Sequence, residues 1–197
     1  MISRSYIFHL KNKDITPQEL GRQLDQNPLS TAINGELGCA AYYARRYDQS
    51  IDFSQGTLRL DQAFPAAHYN AARALGQEQR YERAITELNK ATEVWGRNVM
   101  ALCELAYDYA ASGRKTEAQT ILTELKMRAA KGDFVDPYPL SFILVALGEK
   151  DAALSSLEEA YKIHSTWMPW LLVEPKFEQL RSEYRFQRLV STMGLKS

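Results

Sequence analysis

Side chains able to do acid–base, nucleophilic or metal chemistry are few in this chain and poorly grouped. The histidines are His9, His68 and His164, and none pairs in an H-x-x-x-H or H-E-x-x-H spacing that would set two imidazoles on one helical face. His68 falls at the start of a predicted helix, where it reads as a packing residue against the neighbouring helix. Cys39 and Cys103 lie inside predicted helices and outside any C-x-x-C, so both read as free, buried thiols. No Walker loop, G-x-G-x-x-G or G-x-S-x-G is present. The acidic pair Glu158-Glu159 reads as a solvated helix face. The residues therefore point to no catalysis, no metal and no cofactor, and the chain is expected not to be an enzyme.

One basic cluster could do recognition chemistry. Arg181, Arg185 and Arg188 recur at i, i+4, i+7 on one side of a predicted helix, where they could meet phosphates or an acidic partner. The simpler reading is a solvated stripe opposite Tyr184, Phe186 and Leu189, diluted by Glu178 and Glu183. The Arg45-Arg46 pair reads the same way. Globally, 24 basic residues face 24 acidic ones, for a formal charge of zero. That balance excludes the basic field of a general nucleic-acid or anionic-membrane binder, and it leaves self-association into a homo-oligomer open. No run reaches the roughly 18 apolar residues of a membrane span, and the start MISRSYIFHLKNKD is neither a signal peptide nor an anchor. A soluble, cytoplasmic protein is expected.

The elements that position these residues announce themselves by period. Ser50, Ala84 and Ala118 are 34 apart, and Ala153 follows 35 later. Gly38, Ala72 and Ala106 are also 34 apart, with Ser141 again 35 later. Around them apolar residues fall at i, i+1, i+4: Leu37, Gly38 and Ala41, then Ala71, Ala72 and Leu75, then Leu105, Ala106 and Tyr109, then Leu140, Ser141 and Leu144. These belong to one face of a first helix, A. A second helix, B, carries Ala84, Leu88 and Ala91, then Ala118, Leu122 and Leu125, then Ala153, Leu157 and Ala160, with Ser50, Ser54 and Thr57 in the first unit. Small residues are needed where antiparallel helices approach most closely. Gly113 and Gly148 sit between A and B, where a left-handed residue ends a helix. Asp136 is a good N-cap with Pro137 at the first helical position.

This pattern resembles the tetratricopeptide repeat family. Four units are read, 31–64, 65–98, 99–132 and 134–167, preceded by a degenerate unit over 1–30, in which Thr16 and Pro17 open a helix, and followed by an aromatic cap over 168–197. The chain departs from the family where a tryptophan often opens helix A: Asn34, His68, Leu102 and Pro137 stand there, and the closing proline is absent from all four units. The resemblance implies an all-α, right-handed solenoid with a C-terminal capping segment. The run through Trp167, Glu174-Pro175-Lys176-Phe177, Leu180-Arg181 and Met193-Gly194-Leu195 is similar to the C-terminal tetratricopeptide regions of bacterial multidomain regulators linked to winged-helix, adenylate cyclase or kinase modules. The chain itself shows no such output module, so on that likeness it would be the sensing or interaction part.

In this architecture helix A lines the concave face. Its stripe carries Cys39, Tyr42 and Tyr43, then Tyr69, Arg73 and Gln77, then Cys103 and Tyr107, then Tyr138 and Phe142. Tyrosine gives large contact area at low entropy and keeps a polar tip. Of these, Tyr42, Tyr43, Tyr69, Arg73, Gln77, Tyr107, Tyr138 and Phe142 are the candidate peptide-binding residues; the other reading is that the rings fill inter-helix space. The lysine–asparagine clamp by which chaperone-binding members hold a C-terminal carboxylate is not reproduced. The expected function is a non-catalytic scaffold for a peptide or helix of an unidentified protein partner. The alternative is an oligomerising or ligand-sensing regulatory domain of a bacterial transcription or signalling protein.

Overall fold

The computed structural model describes residues 31–195 of the chain; the expected degenerate unit over 1–30, with Thr16 and Pro17, lies outside them. Among the described residues the fold is all-α, with no strands, as the sequence pattern requires. The helices are α1 (Thr31–Tyr43), α2 (Tyr47–Leu60), α3 (Pro65–Gln77), α4 (Tyr81–Trp95), α5 (Val99–Ala111), α6 (Lys115–Ala130), α7 (Pro137–Ala146), α8 (Lys150–Lys162) and α9 (Tyr184–Thr192). Two 3-10 helices, Met168–Trp170 and Pro175–Leu180, precede α9. The chain forms two compact units that meet in sequence at Gly96 and Arg97.

In the first unit α1 packs on α2 and α3, α2 on α3, and α3 on α4. The small residues sit at the contacts. Ser50, Ala72 and Ala84 are fully buried, and Ser50 Oγ donates to the Gly38 carbonyl at 2.7 Å. Asn70 Nδ2 on α3 donates to the Gly35 carbonyl on α1 at 3.1 Å. Any residue at 35 offers that carbonyl, and a Cβ there would meet open space, so the bond does not require glycine. In the second unit α5 packs on α6 and α7, α6 on α7, and α7 on α8. Ala106, Ala118, Ser141 and Ala153 are fully buried at those contacts. Asn98 caps α5, accepting from the Met100 and Ala101 amides. Asp136 caps α7, accepting from the Tyr138 amide at 2.9 Å, and its other oxygen accepts from Ser165 Oγ at 2.7 Å.

The A-to-B turns repeat one backbone geometry. Arg45, Gln79, Gly113 and Gly148 all have left-handed φ, at 63°, 60°, 88° and 83°. After each, the next amide reaches back five residues: Arg46 to Ala41 at 2.8 Å, Arg80 to Leu75 at 2.9 Å, Arg114 to Tyr109 at 2.8 Å and Glu149 to Leu144 at 2.8 Å. This is the Schellman arrangement that satisfies helix-terminal carbonyls. The glycine signal reveals it in two turns; in the other two an arginine and a glutamine adopt the same conformation.

The segment after α8 folds back on the second unit. Leu171, Phe177 and Leu180 are fully buried, and Phe186 and Leu189 nearly so. Gln179 Nε2 donates to the Val145 carbonyl on α7 at 3.1 Å, and Ser156 Oγ on α8 bonds the Pro137 carbonyl at 2.9 Å. Tyr184, expected on the apolar side of the last helix, is instead 73% exposed. It stands two residues before Phe186 in the first turn of α9, and residues at i and i+2 project to opposite sides of a helix, so burying Phe186 turns Tyr184 outward.

Candidate interaction faces

On the first unit, α1 and α3 bring Tyr42, Tyr43, Tyr69 and Arg73 together. The Arg73 guanidinium lies 3.8 Å from the Tyr42 ring centroid, 4.8 Å from Tyr43 and 5.5 Å from Tyr69. Flat, weakly hydrated guanidinium stacks well on aromatic faces, which explains how an arginine only 5% exposed is accommodated. Tyr42 and Tyr43 are buried and meet edge to face at 5.1 Å. Tyr69 and Gln77 are half-buried. Tyr69 extends the cluster outward by a 5.7 Å contact with Trp95, which is 40% exposed at the end of α4.

His68 is a packing residue, buried on α3 with both ring nitrogens engaged: Nδ1 with Glu87 Oε2 at 2.5 Å on α4, and Nε2 with the Gln62 carbonyl at 2.9 Å. Burial alone would raise the Glu87 pKa, but hydrogen bonds from Lys90 and His68 outweigh it and hold the carboxyl below the usual range.

On the second unit Tyr107 on α5 is half-buried, while Tyr138 and Phe142 on α7 are buried. Tyr138 and Phe142 each pack against Phe177 of the C-terminal segment, at 5.5 and 5.6 Å. Beside them lies a charge cluster not foreseen from the sequence. The Lys176 side chain is fully buried, with Nζ 2.6 Å from Glu104 Oε1 and 3.4 Å from Glu174 Oε1. The Tyr107 and Phe142 rings stand 5.0 and 4.9 Å from that ammonium. Asp108, one turn beyond Glu104 on α5, is 1% exposed. Two signals for this cluster were in the chain: acids at i, i+4 on the helix face shared with Ala101 and Leu105, and the Glu-Pro-Lys-Phe step inside an apolar run.

The expected arginine stripe is not one helix face: Arg181 follows the 3-10 helix Pro175–Leu180 and lies ahead of α9, which carries only Arg185 and Arg188, and all three engage the fold. Arg181 bonds Glu178 and the Leu172 carbonyl, the latter at 2.7 Å. Arg185 forks onto both Glu158 oxygens at 3.0 and 2.8 Å and reaches Ser155 Oγ at 2.9 Å. Arg188 lies 3.7 Å from Glu158. Glu158, read as solvated, is thus the anchor that ties α9 to α8. Cys103 is buried as expected, whereas Cys39, also expected to be buried, is only half-buried; burial pushes the Cys103 thiol pKa well up, and the nearby Glu104 and Asp136 charges add to it.

Among the described residues no group of three or more His, Cys, Asp or Glu side chains is placed to hold a metal ion, and no helix is long and apolar enough to cross a membrane. What the two faces offer chemically is aromatic surface with hydrogen-bonding tips. No curated protein matches the chain. A family model for the tetratricopeptide repeat matches residues 65–94, nearly the whole of the α3–α4 pair, and this match supports a tetratricopeptide repeat character for the chain.

Proposed function

We propose that the chain is a non-catalytic scaffold that binds an extended or helical segment of a protein partner on the faces presented by its A helices. Tetratricopeptide repeats generally mediate protein–protein interactions, and the match over α3–α4 supports that class of role. The observation that carries the reading further is the half-buried state of Tyr69, Gln77 and Tyr107. Each is held by a helix yet keeps part of its side chain open to water, the condition of a preformed contact residue that needs little ordering on binding. Tyr42, Tyr43, Arg73, Tyr138 and Phe142 would then act behind them, fixing the rings in place.

The test is capture of partners with the full chain as bait, followed by Tyr69→Ala, Gln77→Ala and Tyr107→Ala on the captured complex. Affinity should fall at least about tenfold, roughly 1.4 kcal/mol, measured under conditions where circular dichroism shows each free variant folded. Full affinity in the combined variant would overturn the reading.

A further inference from the structure

We propose that the C-terminal segment is a proton-controlled latch on helix α5, with the buried cluster of Glu104, Asp108, Glu174 and Lys176 as its sensor. The geometry comes first. Lys176 enters from the 3-10 helix Pro175–Leu180 and seats its ammonium between Glu104 and Glu174, walled by the Tyr107 and Phe142 rings. The Lys176, Glu104 and Glu174 side chains are between 0% and 1% exposed. This contact, with Phe177 on Tyr138 and Phe142, joins the segment to α5 and α7.

The charges do not balance. Among the described residues one ammonium faces three carboxyl groups. Taking every group as ionised, the cluster carries a surplus of two negative charges away from water, an expensive state. A proton on Asp108 halves that surplus. Asp108 Oδ2 is buried without a hydrogen-bond partner, and so is Glu104 Oε2. An ionised oxygen left in that condition forfeits its hydration with no donor in return. Burial pushes the Asp108 pKa well above the usual aspartate range, the Glu104 charge pushes it further, and Lys176 opposes both.

The charges acting on Asp108 are those of Glu104, on its own helix, and Lys176, from the C-terminal segment, where Glu174 pairs with the same ammonium. From α7, Phe142 walls that ammonium and Tyr138 packs on Phe142 and Phe177. From α6 the buried residues are Ala118, Ile121, Leu122 and Leu125, all apolar.

The sign follows from linkage. A carboxyl whose pKa is higher in the docked state favours docking fully at pH values below its undocked pKa. That contribution declines as pH rises toward the docked value and is absent above it. Alkalinity therefore loosens the latch and acidity tightens it.

Hydrogen–deuterium exchange of the full chain tests this. Wild type and Asp108→Asn are compared at matched pH, so that intrinsic exchange rates cancel. The exchange ratio over residues 168–192 should climb by up to about tenfold per pH unit from about pH 4, then level off at the native Asp108 pKa. Glu104→Gln removes the nearest like charge, so levelling should come at lower pH. A flat ratio across the range overturns the proposal. Infrared spectra of wild type carrying isotope-labelled aspartate give a readout that needs no variant to fold. An un-ionised aspartate carboxyl band that persists well above the ordinary aspartate range supports the proposal, and complete ionisation of the labelled aspartates within that range overturns it.

Discussion

Ser50 on α2 donates its hydroxyl to the carbonyl of Gly38 on α1 across 2.7 Å, so the first helix pair is closed by a hydroxyl resting on a bare backbone. A Cβ built at Gly38 would meet Ser54 Oγ at 3.4 Å, the Ser50 carbonyl at 3.6 Å and Asn70 Nδ2 at 3.8 Å. Those are ordinary contacts. Gly38→Ala should therefore be neutral or slightly stabilising, because alanine saves about 0.5–1 kcal/mol of backbone entropy in a helix. Gly38→Leu has nowhere to send its branch and should cost about 1–3 kcal/mol. Urea midpoints at constant slope distinguish the two.

The four A-to-B turns share one left-handed residue, but only two of them use glycine. A left-handed conformation costs a residue with a Cβ roughly 1–2 kcal/mol. Glycine escapes that cost while losing about 0.5–1 kcal/mol more backbone entropy on folding. The balance favours glycine, so Gln79→Gly should raise stability by about 0.5–1 kcal/mol. Gly113→Ala should lower it by a similar amount, and thermal unfolding of both variants checks the pair. Gln79 is exposed, so no lost packing confuses the reading.

Glu158 and Arg185 give a pH dependence of the opposite sign to that of Asp108. Hydrogen bonds from Arg185, with the charges of Arg185, Arg188 and Lys162, hold the Glu158 carboxyl below its usual range against the smaller effect of burial. A depressed carboxylate pKa contributes stability that is present above the unfolded value, about 4.3, and is lost as pH falls through the folded one. Helix α9 should thus lose exchange protection in acid. Glu158→Gln should show that loss already at neutral pH, worth about 0.5–1 kcal/mol because both partners are partly solvated. Protection of α9 that is equal in wild type and variant at neutral pH would mean that the fork contributes nothing.

The helices were legible because the small residues and their apolar neighbours repeat at one spacing, and helix packing demands that spacing whatever the other side chains are. The turns were half legible: Gly113 and Gly148 betray a left-handed residue, whereas Arg45 and Gln79 adopt it under tertiary constraint that no propensity records. The faces were legible as a stripe and not as depths. Arg73 and Tyr107 occupy the same position in successive A helices, 34 apart, yet one is buried and the other half-buried, since depth depends on what the neighbouring elements lay over each side chain. The Lys176 cluster was least legible, because it joins residues more than sixty positions apart through a segment without helical period.

Arg73 shows what the stacked face contributes to stability apart from binding. Its guanidinium lies nearest Tyr42, at 3.8 Å, with Tyr43 and Tyr69 around it. Lysine would keep the charge but would put a compact, strongly hydrated ammonium where a flat ion now stacks. If the stack matters, Arg73→Lys should destabilise the first unit by about 1–2 kcal/mol, despite being conservative in charge. Arg73→Met keeps the stem and removes the charge; it should cost less than the lysine variant, since no cation then has to be desolvated. The order wild type, then methionine, then lysine in denaturant midpoint is the expected result. Lysine ranking above methionine would show that charge, and not stacking, is what this position requires.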